Sequence, residues 1–530
     1  MAGLSAAADD MASSPGIIDG EEEMRQGGKV YIIGAGPGDP GLITVQGAQA
    51  IGRAGVIVYD HLVSEELLDY ARKDARLIYA GKKGGDHTLP QEEINRLLVA
   101  EARQGNVVAR LKGGDPFIFG RGGEEAEVLA TAGIPFEVVP GVTAAVAVPA
   151  YAGIPLTHRG LTSTLAFVTG HEDPTKEKSD IDWQALAGIG TLVFFMGVKN
   201  LPRITAALME HGKDPRTPAA LIRWGTTADQ ENVAGALADI AVLAAARGFT
   251  PPSLLVVGPV AGLRETLRWF DNRPLFGKGV VITRPEAQVE SFAALLHAEG
   301  ARAIHFPTIR IDPPDSWVEL DAALNRLAEY AWIVFTSANG VRFFMARLRE
   351  RGGDLRDLKG IRIAVIGPAT AKMLAEMGLR VDLVPEEYIS EGVVQAFAGQ
   401  DVRGKKILLP RAAEARDVIP AGLARMGARV DVITVYRTVP SGHRAEELLP
   451  LIAAGRVDVV TFTSPSTVTN FLAIMGPDFT LPPAVKIAAI GPVTAAAVNK
   501  AGLAVDILQE TYTIPGLVAG LRAFFQSFSS

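Results

Sequence analysis

The fold is decided by a short strand and the glycine- and proline-rich loop that follows it, residues 29–41, KVYIIGAGPGDPG. The apolar run Lys29–Ile33 has the length and β-branched content of a buried strand, and the next segment predicts a helix around Thr44–Ala54. Further strands are predicted at Val56–Tyr59 and at Val107–Leu111. Strands that alternate with helices predict an α/β fold with largely parallel sheets, whose ligand sites lie at the carboxyl ends of the strands.

Composition excludes several classes of protein. The 530 residues include 52 Lys and Arg against 59 Asp and Glu, a formal net charge of −7, which disfavours nonspecific nucleic-acid binding. Cysteine is absent, so disulfides, thiolate metal sites and cysteine nucleophiles are excluded, and we expect no metal. Residues 1–27 are small, polar and acidic, so we expect a disordered tail rather than a targeting signal, and a cytoplasmic protein.

The longest stretch without a charged residue, Val138–Thr157, is long enough to span a bilayer. It contains Pro140, Pro149 and Pro155, and each proline would break a helical hydrogen bond that no water replaces inside a membrane. We therefore predict a buried strand, a loop and a short helix here, and no contact with a membrane.

The second half of the chain repeats itself. Ile333–Ser337 is echoed by Val460–Ser464, and Ile366–Thr370 is echoed by Ile490–Thr494, in the same order and at nearly the same offset. The alternative is that any two strand–turn–helix units look alike. The repeat predicts two similar α/β lobes that face each other across a cleft, and the turn formers in residues 269–277 predict a linker before them.

The glycine- and proline-rich loop after the first strand matches the sequence pattern of a dinucleotide-binding motif. Residues 36–41 match G-x-G-x-x-G, and Asp60 ends the next strand at a suitable distance. That motif binds a pyrophosphate through backbone N–H groups, and neither Pro37 nor Pro40 has one. We therefore expect a cationic or zwitterionic ligand rather than NAD or FAD.

The second glycine-rich loop, Gly113–Glu125, is more specific. Its glycines let a ligand approach the backbone, and Asp115 places a carboxylate at a strand end. Arg121 is a cation flanked by glycines, and a guanidinium can grip a carboxylate with two hydrogen bonds. The alternative for Arg121 is an ion pair with Glu124 or Glu125.

Around these loops the chain resembles the uroporphyrinogen-III C-methyltransferases of the tetrapyrrole methylase family, from about Lys29 to Arg268. The matching blocks are Val30–Gly41, Val58–Val63, Gly81–Lys83, Gly113–Glu125, Pro140–Ala144, Pro155–Arg159, Phe195–Gly197 and Ser253–Gly258. The stretch from about Lys278 to Phe525 resembles uroporphyrinogen-III synthase, through Thr283–Pro285, Phe335–Val341, Ile366–Pro368, Leu408–Arg411, Thr434–Thr438 and Phe462–Ser464. The resemblances imply a two-lobed methylase fold at 28–268, a linker at 269–277 and a pair of flavodoxin-like lobes at 278–530.

The resemblances imply a bifunctional enzyme of tetrapyrrole biosynthesis. The synthase would close hydroxymethylbilane to uroporphyrinogen III with inversion of ring D and without a cofactor. The methylase would transfer methyl groups from S-adenosyl-L-methionine (SAM) to C2 and C7, giving precorrin-2 and S-adenosyl-L-homocysteine (SAH). Precorrin-2 lies on the way to sirohaem or cobalamin. Only about 28 residues precede the methylase, so we expect no dehydrogenase–ferrochelatase module, and we expect a homodimer through the methylase half.

The family's SAM contacts carry over onto ten positions: Pro37, Gly113, Gly114, Asp115, Ile118, Thr143, Ala144, Met196, Gly225 and Ser253. For Met196 the alternative is ordinary core packing. The family's proton acceptor matches Asp60, for which a helix cap or an ion pair is the alternative. The proton donor matches Lys82, which has an equally good role in binding a substrate carboxylate. The substrate has eight carboxylates, and Arg121, His158 and Arg159 are further candidates to bind them.

In the synthase half, Tyr436 matches the tyrosine of the family's V-Y-x-T block and can help to protonate the leaving hydroxyl. The alternative is a buried aromatic ring with its hydroxyl satisfied. Candidates to bind the substrate's acetate and propionate groups are Thr336, Ser337, Asn339, Thr463 and Ser464 through hydrogen bonds, and Arg411 through an ion pair.

Two other functions fit parts of the sequence. One is a methylase of another precorrin, of RNA or of diphthine, and the other is a non-catalytic two-lobed module that binds an anion in the repeated half. The negative charge disfavours RNA, and the segment Gly120–Glu124 favours the uroporphyrinogen branch.

Overall fold

The computed structural model describes residues 28–81, 89–171, 180–285 and 288–527. The chain divides into two compact units, Met1–Gly277 and Lys278–Ser530. The tail predicted at 1–27 lies outside the described residues, and the functional limits at 28–268 and 278–530 stay predictions. Within the described residues, no helix combines the length and the apolar content needed to cross a bilayer.

The first unit opens with a five-stranded sheet. Its elements are β1 (Lys29–Gly34), α1 (Val45–Arg53), β2 (Val56–Tyr59), β3 (Arg76–Tyr79), α2 (Gln91–Arg103), β4 (Val107–Lys112), α3 (Gly122–Thr131) and β5 (Phe136–Val139). The strands lie in the order β3-β2-β4-β1-β5, and every neighbouring pair is parallel. Val30 and Ile32 belong to one hydrophobic core and Ile33 to another. Strand β1 is apolar almost throughout because both of its faces are buried.

A second sheet completes this unit. Its elements are α4 (Ala144–Tyr151), β6 (Leu165–Thr169), α5 (Trp183–Ala187), β7 (Thr191–Phe195), α6 (Leu201–Glu210), β8 (Pro218–Arg223), β9 (Glu231–Ala236), α7 (Ile240–Ala246), β10 (Ser253–Val257) and α8 (Arg264–Leu267). The order is β6-β7-β10-β8-β9, with β6 and β7 parallel and the other pairs antiparallel. The uncharged stretch 138–157 forms the end of β5, a loop and α4, as the sequence predicts.

The predicted strands of this unit are confirmed to within one residue. Strand β4 extends one residue further than expected, to Lys112. Strand β7 ends at Phe195 because Met196 has a φ of 54°, a left-handed conformation that no strand continues through.

The segment predicted as a linker, residues 269–277, packs against the first unit. Phe270 is 4% exposed and Leu275 is fully buried. The ring of Phe270 lies 4.8 Å from that of Tyr151, and the indole nitrogen of Trp269 donates to the Ala150 carbonyl at 2.9 Å. In the described structure this segment is therefore part of the first unit's core rather than a free connection.

The second unit is built from two sheets. In chain order its elements are β11 (Gly279–Ile282), α9 (Val289–Ala298), β12 (Arg302–His305), β13 (Ile309–Asp312), α10 (Val318–Leu324), β14 (Tyr330–Phe335), α11 (Ala338–Glu350), β15 (Arg362–Val365), α12 (Pro368–Glu376), α13 (Ser390–Ala396), β16 (Lys406–Ala412), α14 (Val418–Arg425), β17 (Arg429–Pro440), α15 (Ala445–Ala453), β18 (Val459–Phe462), α16 (Pro465–Met475), β19 (Lys486–Ala489), α17 (Pro492–Lys500), β20 (Ile507–Leu508) and α18 (Ile514–Gln526). The sheet β12-β11-β18-β19-β20 forms lobe A, and the sheet β13-β17-β16-β14-β15 forms lobe B. Lobe A has the flavodoxin-like strand order 2-1-3-4-5. In lobe B, the neighbouring strands β17-β16-β14-β15 repeat the spatial arrangement of β12-β11-β18-β19.

The internal repeat is confirmed in three dimensions. In lobe B, Asp382 Oδ2 accepts a hydrogen bond from the backbone N–H of Ile363 at 2.8 Å. In lobe A, Asp506 Oδ2 accepts the corresponding bond from Ile487 at 2.9 Å. The same aspartate therefore ties the same turn to the same strand in both copies, and the predicted α/β fold with an internal repeat is confirmed.

Candidate functional site

A cleft of about 780 Å³ opens in the first unit, at the ends of β1 and β4. It lies where the carboxyl ends of parallel strands meet, which is the usual position of a ligand site in such a sheet. The residues that line it include all ten positions predicted to contact SAM: Pro37, Gly113, Gly114, Asp115, Ile118, Thr143, Ala144, Met196, Gly225 and Ser253. The structure therefore brings together residues that are spread over more than 200 positions of the sequence.

The two glycine-rich loops are joined along one wall of the cleft. The N–H of Gly114 donates to the Gly36 carbonyl at 2.7 Å, and the N–H of Gly36 donates back to the Gly114 carbonyl at 3.2 Å. Asp115 fixes the second loop, because its carboxylate accepts the N–H of Phe117 at 2.8 Å and of Gly141 at 3.1 Å. Each carboxylate oxygen has a second lone pair, so Asp115 can still accept hydrogen bonds from a ligand.

Backbone strain concentrates around this cleft. Among the described residues, five that are not glycine have a left-handed φ: Phe119, Arg121, Met196, Trp224 and Thr226. The first four line the cleft, and Thr226 lies between two residues that do. Each such conformation costs about 1–2 kcal/mol and persists only where the surroundings enforce it, which is typical of functional sites.

Met196 is one of these strained residues, and 50% of it is exposed. It lines the cleft next to Phe195, whose ring lies 5.1 Å from that of Phe119. The alternative of ordinary core packing for Met196 is therefore wrong, and its thioether is available to a ligand.

Asp60 reaches the cleft from the end of β2 and is held by a cluster of buried charges. Arg110 Nη2 lies 3.5 Å from Asp60 Oδ2, and Arg110 Nε lies 3.3 Å from Glu125 Oε1. Lys112, which also lines the cleft, places its Nζ 2.6 Å from the same Glu125 oxygen. Gln91 donates to that oxygen at 3.0 Å. The ion pair that the sequence left open for Asp60 is therefore present.

We name Arg110, Lys112 and Glu125 the buried charge cluster, because all three side chains are almost fully buried. Burial lowers the pKa of Lys112, and the positive charge of Arg110 lowers it further, while Glu125 and Asp60 act in the opposite direction. The cluster contains one carboxylate and two cations. Asp60 supplies a second carboxylate next to Arg110 and so balances the excess positive charge. Sequence reasoning missed these residues, whose only local signal is two cations, two positions apart, in an otherwise apolar strand.

Arg121 lies at the rim of the cleft and makes the ion pair that the sequence left as an alternative. Its Nε and Nη2 bond the two carboxylate oxygens of Glu124 at 2.8 and 2.7 Å. Both side chains are more than half exposed, and an exposed pair is worth only about 0–1 kcal/mol. A substrate carboxylate can therefore replace Glu124 at little cost.

Three further predicted residues have no observed place in this arrangement, for different reasons. Lys82 lies outside the described residues. His158 and Arg159 lie in an exposed turn in which His158 and Thr162 exchange backbone hydrogen bonds, and neither lines the cleft. Their contact with substrate stays a prediction.

In lobe B of the second unit, Tyr436 of β17 meets Ser337, the residue that caps α11. The Tyr436 hydroxyl lies 3.0 Å from Ser337 Oγ, and its ring stacks on Phe343. Burial raises the pKa of Tyr436, although the hydrogen bond with Ser337 acts against it. Tyr436 is 8% exposed, so its phenol stays protonated at neutral pH and its hydroxyl already has a partner.

The other predicted synthase residues are divided between the lobes. Ser337 caps α11 in lobe B by accepting the N–H of Gly340 at 3.0 Å, and Ser464 caps α16 in lobe A by accepting that of Thr467 at 3.3 Å. Thr336 and Thr463, each directly before one of these caps, are half-buried. Both serines therefore have a structural role in the repeat.

Two polar candidates of lobe B already have partners. Arg411 Nη2 pairs with Asp417 at 2.7 Å, and its Nη1 donates to the Arg416 carbonyl. Asn339 Oδ1 accepts from Arg342 at 3.1 Å. To make the predicted ion pair with substrate, Arg411 must exchange Asp417 for a substrate carboxylate.

Comparison with known proteins agrees with this architecture. The family "Tetrapyrrole (Corrin/Porphyrin) Methylases" matches residues 29–241, and "Uroporphyrinogen-III synthase HemD" matches residues 290–519. The porphyrin biosynthesis protein HemD of Ruminiclostridium josui is 38% identical over 449 residues, which is 84% of this chain and 89% of that protein. A SAM-dependent uroporphyrinogen III methyltransferase of Methanosarcina barkeri is 55% identical over 241 residues, 45% of this chain and 94% of its own.

Among solved structures, the uroporphyrin-III C-methyltransferase of Thermus thermophilus in complex with S-adenosylhomocysteine is 39% identical. It covers 44% of this chain and 99% of its own, with a TM-score of 0.38. The two family matches and the relative from Ruminiclostridium josui confirm the resemblance found in the sequence for both halves. The chain therefore belongs to the tetrapyrrole methylase family through its first unit and to the uroporphyrinogen-III synthase family through its second.

Proposed function

We propose that this chain catalyses two consecutive steps of tetrapyrrole biosynthesis. The second unit cyclises hydroxymethylbilane to uroporphyrinogen III with inversion of ring D. The first unit methylates that product at C2 and C7 with SAM and releases precorrin-2 and SAH. The observation that carries the methylase step is the cleft lined by all ten predicted SAM contacts. The family match over residues 290–519 supports the synthase step.

The chemistry of the cleft suits a sulfonium with a zwitterionic tail. Pro37 offers no N–H to a phosphate, and it lines the cleft together with Gly36 and Gly38. Asp115 supplies a carboxylate for hydroxyl or ammonium groups, and Met196 supplies an exposed thioether. When bound, SAM supplies an electrophilic methyl group.

In the methylase reaction, a pyrrole carbon forms a bond to the methyl carbon as the sulfur–methyl bond breaks, so positioning supplies most of the rate. The methylated ring then carries a positive charge and must lose a proton. Asp60 is the group that we propose accepts it, because Asp60 lines the cleft and Arg110 fixes its carboxylate at 3.5 Å. Lys82 is the proposed proton donor. Arg121 is proposed to bind a substrate carboxylate in exchange for Glu124.

In the synthase reaction, the bilane must lose its hydroxyl and be held for closure with ring D inverted. Tyr436 is suited to donate a proton to the departing hydroxyl, since burial keeps its phenol protonated. Thr336, Ser337 and Asn339 in lobe B, and Thr463 and Ser464 in lobe A, are proposed to hydrogen-bond the acetate and propionate groups. No cofactor takes part in this proposal.

The test is incubation of the full chain with hydroxymethylbilane, with and without SAM. Without SAM we expect uroporphyrinogen III rather than isomer I, measured by chromatography of the oxidised products. With SAM we expect the absorption spectrum and mass of a dimethylated product. Formation of isomer I alone would make the second unit a binding module, and methylation of another precorrin alone would reassign the first unit.

Two further properties belong to this proposal. Calorimetry should show binding of SAH and none of NAD, and the opposite result would reject the assignment of the cofactor. We also propose a homodimer formed through the first unit, as the family resemblance implies. Light scattering on the full chain should give twice the monomer mass, and a monomer would reject it.

A further inference from the structure

Tyr151, the last residue of helix α4, bonds to the first glycine-rich loop from behind the cleft. Its hydroxyl donates to Asp39 Oδ2 at 2.6 Å. The other oxygen of that carboxylate, Oδ1, accepts the N–H of Gly41 at 2.8 Å. Asp39 therefore spans the loop, with one oxygen on the loop's own backbone and the other on the phenol of Tyr151.

A second chain of hydrogen bonds leads from the loop back to Tyr151. The N–H of Asp39 donates to Thr226 Oγ1 at 3.1 Å, and the N–H of Thr226 donates to Gln230 Oε1 at 2.9 Å. Gln230 Nε2 then donates to the carbonyl of Tyr151 at 3.3 Å. These hydrogen bonds form a closed circuit. The side chain of Tyr151 bonds to Asp39 of the loop, and its carbonyl bonds to Gln230, which holds Thr226 against the same loop.

The ring of Tyr151 is fixed by the segment that follows α8. The centroids of Trp269 and Phe270 lie 5.1 and 4.8 Å from it, and Trp269 Nε1 donates to the carbonyl of Ala150. Arg264 donates to the carbonyl of Ala152 at 2.6 Å and also pairs with Asp271. The residues on both sides of Tyr151 are therefore tied to this segment.

The position of the loop matters because three of its residues line the cleft. Gly38 lies so close to the second sheet that an added Cβ would come 2.8 Å from Thr227 Cγ2. The prolines restrict the loop's φ angles but do not anchor it to the rest of the fold. Burial raises the pKa of Tyr151, and the negative charge of Asp39 raises it further, so the phenol stays a donor at neutral pH.

We propose that Tyr151 is a positioning residue for the cofactor: it holds the loop at residues 36–41 in its binding conformation and couples that conformation to the packing of residues 264–277. This inference rests on the proposed binding of SAM in the cleft. It assigns to the end of the first unit a role in cofactor affinity, although none of residues 264–277 lines the cleft.

The test is Tyr151→Phe in the full chain, which keeps the aromatic ring and removes the hydroxyl. The lost hydrogen bond runs to a charged carboxylate, so its loss should weaken binding of SAH by about 10- to 150-fold, measured by calorimetry. We expect the KM for SAM to rise by the same factor and kcat to change less than about threefold, because the reacting groups are untouched. Asp39→Asn retains hydrogen-bonding atoms on both sides, so it should weaken SAH binding less than Tyr151→Phe.

The matched control is Tyr330→Phe in the second unit. The Tyr330 hydroxyl donates to Asp431 Oδ2 at 2.6 Å, a bond of the same kind and length, but far from the loop in sequence and in the other unit. This variant should bind SAH like the parent. Trp269→Leu, which keeps the phenol and loosens the packing around it, should weaken SAH binding at least twofold.

The outcomes separate this inference from the proposed function. If the parent protein does not bind SAH, the cofactor assignment itself is wrong and the loop needs no support. If the parent binds SAH and both Tyr151→Phe and Trp269→Leu bind it within twofold of the parent, the positioning role is refuted and the proposed function stands. Should Tyr151→Phe fail to fold, Trp269→Leu alone decides between these results.

Discussion

The buried charge cluster makes a quantitative prediction for Glu125→Gln. Glu125 is fully buried, and its Oε1 is shared by Lys112 at 2.6 Å and Arg110 at 3.3 Å. Glutamine has nearly the same shape but no charge. The substitution therefore leaves two buried cations with Asp60 as their nearest remaining anion.

The expected cost is large because a buried cation without a partner keeps its desolvation penalty. Removing one member of a buried ion pair typically costs about 3–5 kcal/mol. For a unit of about 250 residues, a change of 1 kcal/mol moves the melting temperature by about 2–4 °C. We therefore expect the first unit to melt roughly 6–20 °C lower than in the parent.

The assay is differential scanning calorimetry of the full chain, in which the second unit serves as an internal reference. Glu124→Gln is the matched control, because Glu124 is the neighbouring acid and its ion pair with Arg121 is exposed. Its cost should stay below about 1 kcal/mol. If Glu125→Gln lowers the transition no more than Glu124→Gln does, the cluster does not carry the stability assigned to it.

Three other substitutions are informative. Arg121→Ala removes the proposed partner of a substrate carboxylate, so it should lower kcat/KM for methylation about 30-fold or more and leave the rate of hydroxymethylbilane conversion unchanged. Equal losses in both reactions would mean that the units share one site. Tyr436→Phe should slow formation of uroporphyrinogen III roughly tenfold without abolishing it. Since burial raises the pKa of Tyr436 above the ordinary 10.0, the parent's rate should show no loss from this group up to about pH 9. An unchanged rate and isomer ratio in Tyr436→Phe would leave Tyr436 as a core residue. Burial lowers the pKa of Lys112 in the folded protein below its ordinary value of 10.5. Between these two pKa values the unfolded chain binds more protons than the folded one, so the free energy of unfolding of the parent's first unit should rise with pH relative to that of Lys112→Met. Parallel pH profiles of the two proteins would contradict this.

The strands and glycine loops could be predicted from the sequence because their signals are local. A run of β-branched residues such as Val56–Tyr59 and a loop such as Gly34–Gly41 need only neighbouring residues to be recognised. The position of the cleft could be predicted because strand ends of a parallel sheet converge on one edge whatever the loop lengths. Family resemblance supplied all ten predicted SAM contacts, including Met196, Gly225 and Ser253, for which the sequence offers no spacing rule.

The buried charge cluster could not be predicted in this way. Arg110 and Lys112 alternate with apolar residues in β4, so the pattern equally describes a strand with one solvated face. Their partner Glu125 is the last residue of the segment defined from the sequence as the second glycine-rich loop, and it lies in the first turn of α3. Only the packing of that helix on the sheet shows that all three are buried. The pairing of Tyr151 with Asp39, 112 residues away, has no local signal either.

The segment 269–277 shows most clearly where a local signal misleads, and it yields a last prediction. Asn272, Pro274 and Gly277 mark turns correctly, but turn formers say nothing about what the turns pack against. Phe270 and Leu275 are almost fully buried, and the ring of Phe270 packs against Tyr151 of the first unit. Burying side chains of this size contributes about 1.5–3 kcal/mol each, so removing both should cost roughly 3–6 kcal/mol.

A chain ending at residue 277 should therefore melt close to the transition of the first unit in the full chain, and one ending at residue 268 should melt far lower and bind SAH more weakly. The complementary piece, residues 278–530, should form uroporphyrinogen III at the parental rate without SAM. Equal melting temperatures for the two shorter chains would show that residues 269–277 are a free connection, as their turn formers first indicated. Loss of synthase activity in a folded 278–530 piece would show that the two units do not work independently.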